Sequence, residues 1–391
     1  MKFSLTSRLY AFAFFSDFIL IYPLYSLLFD DSQISISQIA SLLIAWSFTG
    51  FLLEVPSGSI ADKYPRKNVL VAATIVQAMG FGCWLVFQNY YGFLAGFILW
   101  GVNSALTSGT TEALVYDELS DKKALPTYTK VMGRLQAFGL TGEILAGAGA
   151  AVLASSGYTV ILLFSVAAAL IAGAVVYSLP KAKAMESTEE VKLLSYLRRG
   201  FALAFSKSRV LYIILFISIL GGLSSVDEYY SLFLREKHFS NTDIALWSAV
   251  LGIFGVVGSL LAHRIEKKKL PLEFLVLLWG GLLFGASLAP AIFAPLLLGV
   301  FVLFFSLITV LFNTYLQHAI NSETRATTTS VGAFFSELFA LLTYVIVGLT
   351  AQRGYAWSLK IVAVIIVGFA GLLIIYSRYL KNRAGHSIVQ P

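Results

Sequence analysis

Long apolar runs separated by short polar segments dominate this chain of 391 residues. Each run holds roughly 20 mostly apolar residues, enough for a helix to cross a hydrocarbon core of about 30 Å. The runs are too long for barrel strands and lack two-residue alternation, so helices are the structure that satisfies their backbone in lipid. Twelve spans are predicted, near 9–29, 39–61, 69–87, 92–115, 132–154, 158–179, 210–234, 243–263, 272–289, 293–317, 327–351 and 357–379.

Composition supports a membrane protein. Hydrophobic residues make up 58% of the chain and charged residues only 13%, unlike a soluble globular domain. We interpret the first span as a retained helix rather than a signal peptide, because Asp17 interrupts it and no small-residue cleavage site follows. Cys83 is the only cysteine, so no disulfide within the chain is possible.

The distribution of Lys and Arg predicts the orientation. When both termini are placed on one side, only four of the 28 basic residues fall on the other side: Arg235, Lys237, Arg353 and Lys360. Because positive loops stay inside, we expect both termini in the cytoplasm and the chain in a bacterial-type inner membrane.

The longest polar interruption divides the spans into six and six. We predict an N-terminal six-helix bundle over 1–180, a cytoplasmic linker with an amphipathic helix over 181–209, and a C-terminal six-helix bundle over 210–391. Gly58-Ser59 at the end of the second span recurs as Gly258-Ser259 at the end of the eighth, each before a basic loop. Two such repeats with a binding site between them are typical of transporters.

The segment GSIADKYPRK, from Gly58 to Lys67, resembles the loop between helices 2 and 3 of the major facilitator superfamily. The resemblance implies an all-α integral membrane fold of twelve transmembrane helices in two pseudo-symmetric six-helix bundles, working by alternating access. More narrowly, EVPSGSIAD, TSGTTEALVYDEL and SETRATTTS are similar to segments of bacterial members of the third drug:proton antiporter family.

This resemblance implies a cytoplasmic gate. Asp62 would latch the two halves by facing the positive N-terminus of helix 11, a contact of about 0.3–2 kcal/mol. Simple control of topology by the positive charges is the alternative reading of the loop. The predicted gate residues are Glu54, Gly58, Asp62, Arg66, Lys67, Arg134 and Arg325.

Acids inside the predicted spans are candidates for substrate or proton coupling, because ionisable groups are costly at membrane depth. They are Asp17, Glu112, Glu143, Asp227, Glu228 and Glu337. Helices 1, 4, 7 and 10 line the cavity in the superfamily, so the resemblance favours Asp17, Glu112 and the pair Asp227 and Glu228. A structural ion pair between Glu112 and Arg134 is an equal alternative.

Neutral polar and aromatic residues on the same helices are candidates for the cavity lining. The polar ones recur every four residues, a stripe that also suits the joining of helices by hydrogen bonds. The candidates are Tyr22, Tyr25, Asn103, Thr107, Tyr229, Tyr230, Asn313 and Gln317.

Catalytic motifs are missing from the sequence: it has no P-loop, no nucleophile elbow and no metal-spaced Cys/His cluster. We therefore expect no enzyme, no cofactor and no metal, with the proton gradient as energy source. The expected function is proton-coupled export of a small amphiphilic molecule by a monomer that contacts lipids and no nucleic acid. Uptake or export of a metabolite or a siderophore-like metal chelate is the alternative, followed by a lipid scramblase or a non-transporting receptor.

Overall fold

The computed structural model describes residues 5–179, 208–266, 272–319 and 325–384, and all regular structure in these ranges is helical. The predicted linker 181–209 lies outside the described residues except for Ser208 and Arg209. The chain forms two compact units. The first comprises Met1–Glu190 and Ser240–Ala249, and the second comprises Val191–Phe239 and Val250–Pro391.

Eight α-helices lie in the first part of the described chain. Their bounds are α1 Leu5–Asp17, α2 Tyr25–Asp31, α3 Ile36–Lys63, α4 Arg66–Val86, α5 Tyr90–Thr107, α6 Thr110–Asp121, α7 Tyr128–Leu153 and α8 Tyr158–Tyr177. Seven more follow. Their bounds are α9 Ser208–Ser224, α10 Tyr230–Glu236, α11 Asn241–Glu266, α12 Leu272–Leu288, α13 Ala294–Ala319, α14 Arg325–Thr350 and α15 Tyr355–Ala384.

Nine of the twelve predicted spans correspond to one helix each, and three are interrupted. Spans 1, 4 and 7 were predicted as continuous helices, but each forms two helices. Span 1 forms α1 and α2, span 4 forms α5 and α6, and span 7 forms α9 and α10. Among the described residues, eight helices are long and apolar enough to cross a membrane, and Glu273–Leu288 is a shorter apolar helix. The interruptions are the main correction that the structure makes to the predicted spans.

Pro23 explains the interruption of span 1. Proline has no backbone N–H and disfavours helical geometry in the residue before it, so the helix that ends at Asp17 resumes only at Tyr25. The freed N–H of Ile21 donates to the hydroxyl of Ser165 on α8 at 3.0 Å. A neighbouring helix thus satisfies backbone that lipid would leave unpaired.

The interruptions of spans 4 and 7 differ in local structure from that of span 1. In span 4, Gly109 has φ +68°, in the left-handed region that favours glycine. The hydroxyl of the preceding Ser108 donates to Glu54 of α3 at 2.8 Å. In span 7, a 3₁₀ helix at Ser225–Tyr229 separates α9 from α10.

The turns after the two short helices α2 and α10 repeat each other. Gln33 and His238 follow these helices with φ of 62° and 68°. Two residues later, Ser35 and Ser240 each begin the next helix with reciprocal bonds to the residue three positions on, a capping box. Gln33 and His238 are 205 residues apart, as are Ser35 and Ser240. The two turns therefore match in backbone geometry, although their spacing differs from the 200 residues that separate the glycine-serine pairs.

Helix pairings also recur within the two units. Helix α1 packs on α7 in the first unit, and α9 packs on α14 in the second. Both contacts depend on a glycine: Gly142 lies against the carbonyl of Phe14, and Gly222 lies against Phe339. A side chain at either position would force the helices apart.

Glu236 holds the beginning of α15 in place. One of its carboxylate oxygens accepts hydrogen bonds from the backbone N–H groups of Tyr355 and Ala356, at 2.5 and 3.2 Å. Those donors have no partner within the helix, and a carboxylate also suits the positive end of the helix dipole. In the first unit Tyr158, which begins α8, donates to Asp31 at the end of α2.

Glu118 is buried on α6, with 3% of its surface exposed, between Val115 and Leu119 of a core cluster. One of its carboxylate oxygens has no hydrogen-bond partner among the described residues. Burial raises the pKa of Glu118, Asp121 and Asp117 add to this, and Lys122 and Lys67 oppose it.

Replacing Glu236 with alanine should lower the stability of the protein. Loss of this cap should cost about 0.5–2 kcal/mol, measured as a lower thermal midpoint in detergent. Glu236→Gln retains an acceptor oxygen without the charge and should lose less. Equal losses in the two variants would show that an uncharged acceptor oxygen contributes nothing to the cap.

The Glu118→Gln variant should change how stability depends on pH. The folded protein holds this proton more tightly than the unfolded chain, so wild-type stability is greatest below the unfolded pKa and falls as pH rises through the folded pKa. Glutamine does not titrate. The thermal midpoint of the variant should therefore exceed that of wild type near pH 8 and approach it near pH 4. A constant difference across this range would contradict the assignment.

Candidate functional site

A cavity of about 360 Å³ lies inside the first unit. Three segments line it: the interrupted span 1, α4, and the interrupted span 4. The cavity is rich in polar groups, and its hydroxyl and amide lining consists of Ser16, Thr74, Gln77, Asn103, Ser104, Thr107, Ser108 and Thr111.

Span 4 supplies a polar stripe along the cavity. Asn103, Thr107 and Thr111, which recur every four residues, all line it. The Asn103 side-chain N–H donates to the carbonyl of Ala73 on α4 at 2.9 Å. The stripe therefore both faces the cavity and joins α5 to α4.

Asp17 is the last residue of α1, and its carboxylate opens into the cavity. The carboxylate makes no hydrogen bond or ion pair with any described residue, although the backbone carbonyl of Asp17 accepts from Ile19. Tyr22, within the interruption, also lines the cavity and meets Trp100 of α5 edge to face, with ring centroids 4.8 Å apart. The break in span 1 thus places a carboxylate and an aromatic ring on the same cavity.

Helix α7 brings a second carboxylate near Asp17. Gly139 lies directly against the Asp17 carboxylate, and Glu143 is one helical turn further along α7. The charge of Glu143 acts on the Asp17 carboxyl group. Helix α7 thus places a second acid within electrostatic reach of the acid that lines the cavity.

Glu112 lines the same cavity from the first turn of α6. It makes no ion pair with Arg134, although the structure describes both residues and Arg134 is exposed. The structural ion pair, one of the two alternatives for Glu112, is therefore not formed. Glu54 instead contacts this region through Ser108, at the break between α5 and α6.

We call the region where α3 meets α4 and where α8 ends the basic end of the first unit. Here Arg66 forms an ion pair with Asp117 of α6 and also donates to the carbonyl of Ala113 at 3.3 Å. Lys67 and Arg8 donate to the carbonyls of Leu179 and Ser178, directly after the C-terminus of α8, where cations complement the helix dipole. The basic residues of the motif thus fix α6 and α8.

Several predicted gate residues remain without a described contact. Gly58 is exposed on α3. The side chains of Asp62 and Arg325 lie outside the described residues, so the proposed latch at Asp62 stays a prediction. Glu54, Arg66 and Lys67 are the gate residues whose partners the structure defines.

In the second unit, Asp227 and Glu228 lie in the 3₁₀ segment that interrupts span 7. Their charges act on the hydroxyl of Tyr344 of α14. Glu337 on the same helix is half-buried and Asn313 of α13 is exposed. The side chain of Gln317 lies outside the described residues.

Three tyrosines predicted to line a cavity are packed in the interior instead. Tyr25, Tyr229 and Tyr230 have 4%, 0% and 6% of their surface exposed. Tyr25 packs on Phe97, with ring centroids 5.7 Å apart, and Tyr230 packs on Phe301. Each of the two positions begins the short second helix of an interrupted span, where an aromatic side chain fills the core.

Sequence reasoning missed several residues of the site. Gln77 and Trp100 line the cavity, and Asp117 binds Arg66. The sequence contained two signals: a lone glutamine within an apolar span for Gln77, and an acidic pair directly after span 4 for Asp117. Within the described residues, no group of three His, Cys, Asp or Glu side chains is arranged to hold a metal ion.

Solved structures share this fold. A nucleoside transporter, NupG, has a TM-score of 0.75 at 16% identity, covering 96% of this chain and 98% of that one. A POT family transporter in complex with 5-aminolevulinic acid has a TM-score of 0.73 at 11% identity, covering 96% of each chain. A D-xylose-proton symporter has a TM-score of 0.68 at 15% identity, covering 94% of this chain and 96% of that one. At these identities the likeness concerns the fold alone.

The sequence itself matches the family profile of the Major Facilitator Superfamily over residues 9–344. No curated protein matches the chain. The profile spans most of the chain. The chain therefore belongs to the Major Facilitator Superfamily, and is a multi-pass membrane transporter of two six-helix bundles rather than an enzyme.

Proposed function

We propose that this transporter exports a small amphiphilic molecule in exchange for protons, by alternating access. The segments that resemble the third drug:proton antiporter family support this narrower assignment. We further propose that it acts as a monomer in the inner membrane with both termini in the cytoplasm, as the distribution of basic residues predicts.

The observation that carries the proposal is the position of Asp17. Its carboxylate opens into the cavity at the end of a broken helix, without a bonding partner among the described residues, and next to Glu143 on α7. Such a carboxyl group changes charge when it binds a proton. A charge change inside the substrate cavity is the direct way for proton binding to alter substrate affinity.

Contacts at the basic end give a path from the cavity to a gate. Helix α6 carries Glu112 in the cavity and Asp117, which pairs with Arg66, five residues further along. The left-handed Gly109 lies just before this helix. A movement of α6 about Gly109 would change the cavity and the Arg66 contact together.

Transport of a metabolite is the second candidate, and the amide and hydroxyl lining favours it. Gln77 and Asn103 resemble groups that hold polar ligands. The nucleoside transporter and the D-xylose-proton symporter of the same fold are named for polar substrates. Proton symport would then replace exchange.

The Asp17→Asn variant should lose proton coupling. In proteoliposomes with an acidic lumen, wild-type protein should accumulate an amphiphile such as ethidium inside, because protons leave as the compound enters. The variant should reduce this accumulation at least about tenfold while it still exchanges labelled for unlabelled compound without a gradient. Asp227→Asn tests the second unit in the same way.

The matched control is Asp121→Asn, an exposed acid at the end of α6 that does not line the cavity. This variant should accumulate the compound in response to the proton gradient as wild type does. Accumulation only with an alkaline lumen, tested with uridine and xylose as well, would establish symport and overturn the exchange mechanism. Unchanged coupling in both Asp17→Asn and Asp227→Asn would remove these acids from the mechanism.

Glycine substitutions on α7 should separate coupling from stability. A Cβ at Gly139 meets the flexible end of Asp17, whereas one at Gly142 meets the Phe14 backbone. Gly139→Ala should therefore impair gradient-driven accumulation with a near-normal thermal midpoint. Gly142→Ala should be destabilised by about 1–3 kcal/mol.

Gly133→Ala is the matched control on the same helix, since a Cβ there meets nothing within 4 Å. It should keep both properties or gain slightly in stability. Normal coupling in Gly139→Ala would show that the position of the Asp17 carboxylate is not critical.

A further inference from the structure

Two acids line the cavity of the first unit. They are Asp17 and Glu112, and neither carboxylate makes a hydrogen bond or ion pair with a described residue. None of the described lining residues is Lys, Arg or His. A cleft lined by charges of one sign concentrates ligands of the opposite sign.

The amide of Gln77 adds a second requirement for a ligand of the cavity. Gln77 has only 6% of its surface exposed and lines the cavity, yet it makes no hydrogen bond with any described residue. The amide atoms of Gln77 are not among the fully buried polar atoms that lack a partner, so they are open to the cavity. Asn103 uses its N–H for Ala73, and no described group donates to its oxygen. The Gln77 amide and the Asn103 oxygen are therefore available to bond to a ligand.

Aromatic rings define the third property. Trp100 is nearly buried and meets Tyr22 edge to face, and both line the same cavity as Asp17. Rings and a carboxylate on one cavity suit an organic ammonium, which gains from both the charge and the ring face. The volume of about 360 Å³ lies at the lower end of small-molecule sites, which span about 300–1,000 Å³, so a compound with one ring fits better than a large one.

From these observations we propose that the cavity binds a small organic cation that bears a hydrogen-bonding group, with its ammonium at Asp17 and its polar group at Gln77 and Asn103. This inference rests on the proposed function and names its substrate class. A neutral sugar or nucleoside would leave two carboxylates without a counter-charge in the cavity, which is the costlier arrangement.

Charged thiol reagents measure the potential of the cavity without knowledge of the substrate. With Cys83 replaced by serine, Thr107→Cys or Ser104→Cys places one thiol in the lining. Rates are compared for a cationic trimethylammonium-ethyl and an anionic sulfonatoethyl methanethiosulfonate, each relative to a free thiol. The normalised cation-to-anion ratio should be at least about ten. It should fall in Asp17→Asn and in Glu112→Gln, and stay in the control Asp121→Asn.

Protection experiments test the ligand class. Phenethylamine should slow modification of the cysteine by a neutral reagent at concentrations about tenfold lower than phenethyl alcohol or phenylacetate, which match it in shape. Asp17→Asn should remove this preference, and Gln77→Leu should weaken protection by an amine that also bears a hydroxyl, such as tyramine, more than protection by phenethylamine. These measurements use the full chain in detergent and need no gradient.

A rate ratio equal to that of a free thiol, or unreactive cysteines at both positions, would overturn the proposal. Equal protection by the alcohol or the acid, or no protection by the amine, would also overturn it. These outcomes are separate from those of the accumulation assay. A protein that prefers cations but moves no protons would refute coupling alone, and a coupled transporter without cation preference would refute the substrate class alone.

Discussion

Backbone hydrogen bonding in lipid is the constraint on which the rest of this structure depends. A helix satisfies its own backbone groups, so any interruption at membrane depth needs partners from neighbouring protein. In span 1 that partner is Ser165, whose hydroxyl accepts from Ile21 and itself donates to Ile161 at 2.9 Å. The break is therefore possible only because α8 packs against this segment, and the break in turn gives Asp17 its place at a helix end facing the cavity.

The same constraint explains why polar groups gather at the breaks. Backbone that leaves the helical pattern already needs polar neighbours, so adding acids and hydroxyls there costs less than adding them along an intact helix. Span 4 has Ser108 and Glu54 at its break, and span 7 has Asp227 and Glu228. Because the turns at Gln33 and His238 also match, each unit repeats one design, in which a broken first span carries its acids.

The sequence predicted the features that depend on local composition. Apolar runs defined twelve spans, and the acids and the polar stripe of span 4 were recognised because charge within an apolar run is conspicuous. Pro23 and Gly109 contained the signals for two breaks, but hydropathy alone averages over them. Contacts between distant segments could not be predicted, because no pattern in the sequence links Glu236 to Tyr355 or Arg66 to Asp117. The direction of a side chain was equally hidden, since Tyr22 and Tyr25 lie three residues apart and only Tyr22 lines the cavity.

Placing the proton and an organic cation at the same carboxylate has a mechanistic consequence. Two positive ligands that compete for Asp17 exclude each other, so binding of one lowers the affinity for the other by an equal factor. Mutual exclusion favours exchange, because each ligand must leave before the other binds. Symport requires both ligands to be bound together, which would need a second acid to hold the proton. Glu143 is close enough to act on Asp17, but it does not line the cavity. A proton on Glu143 would leave Asp17 ionised and able to hold a cation, whereas a proton on Asp17 would exclude it. The proposed exchange therefore depends on Asp17, and not Glu143, being the acid that holds the proton.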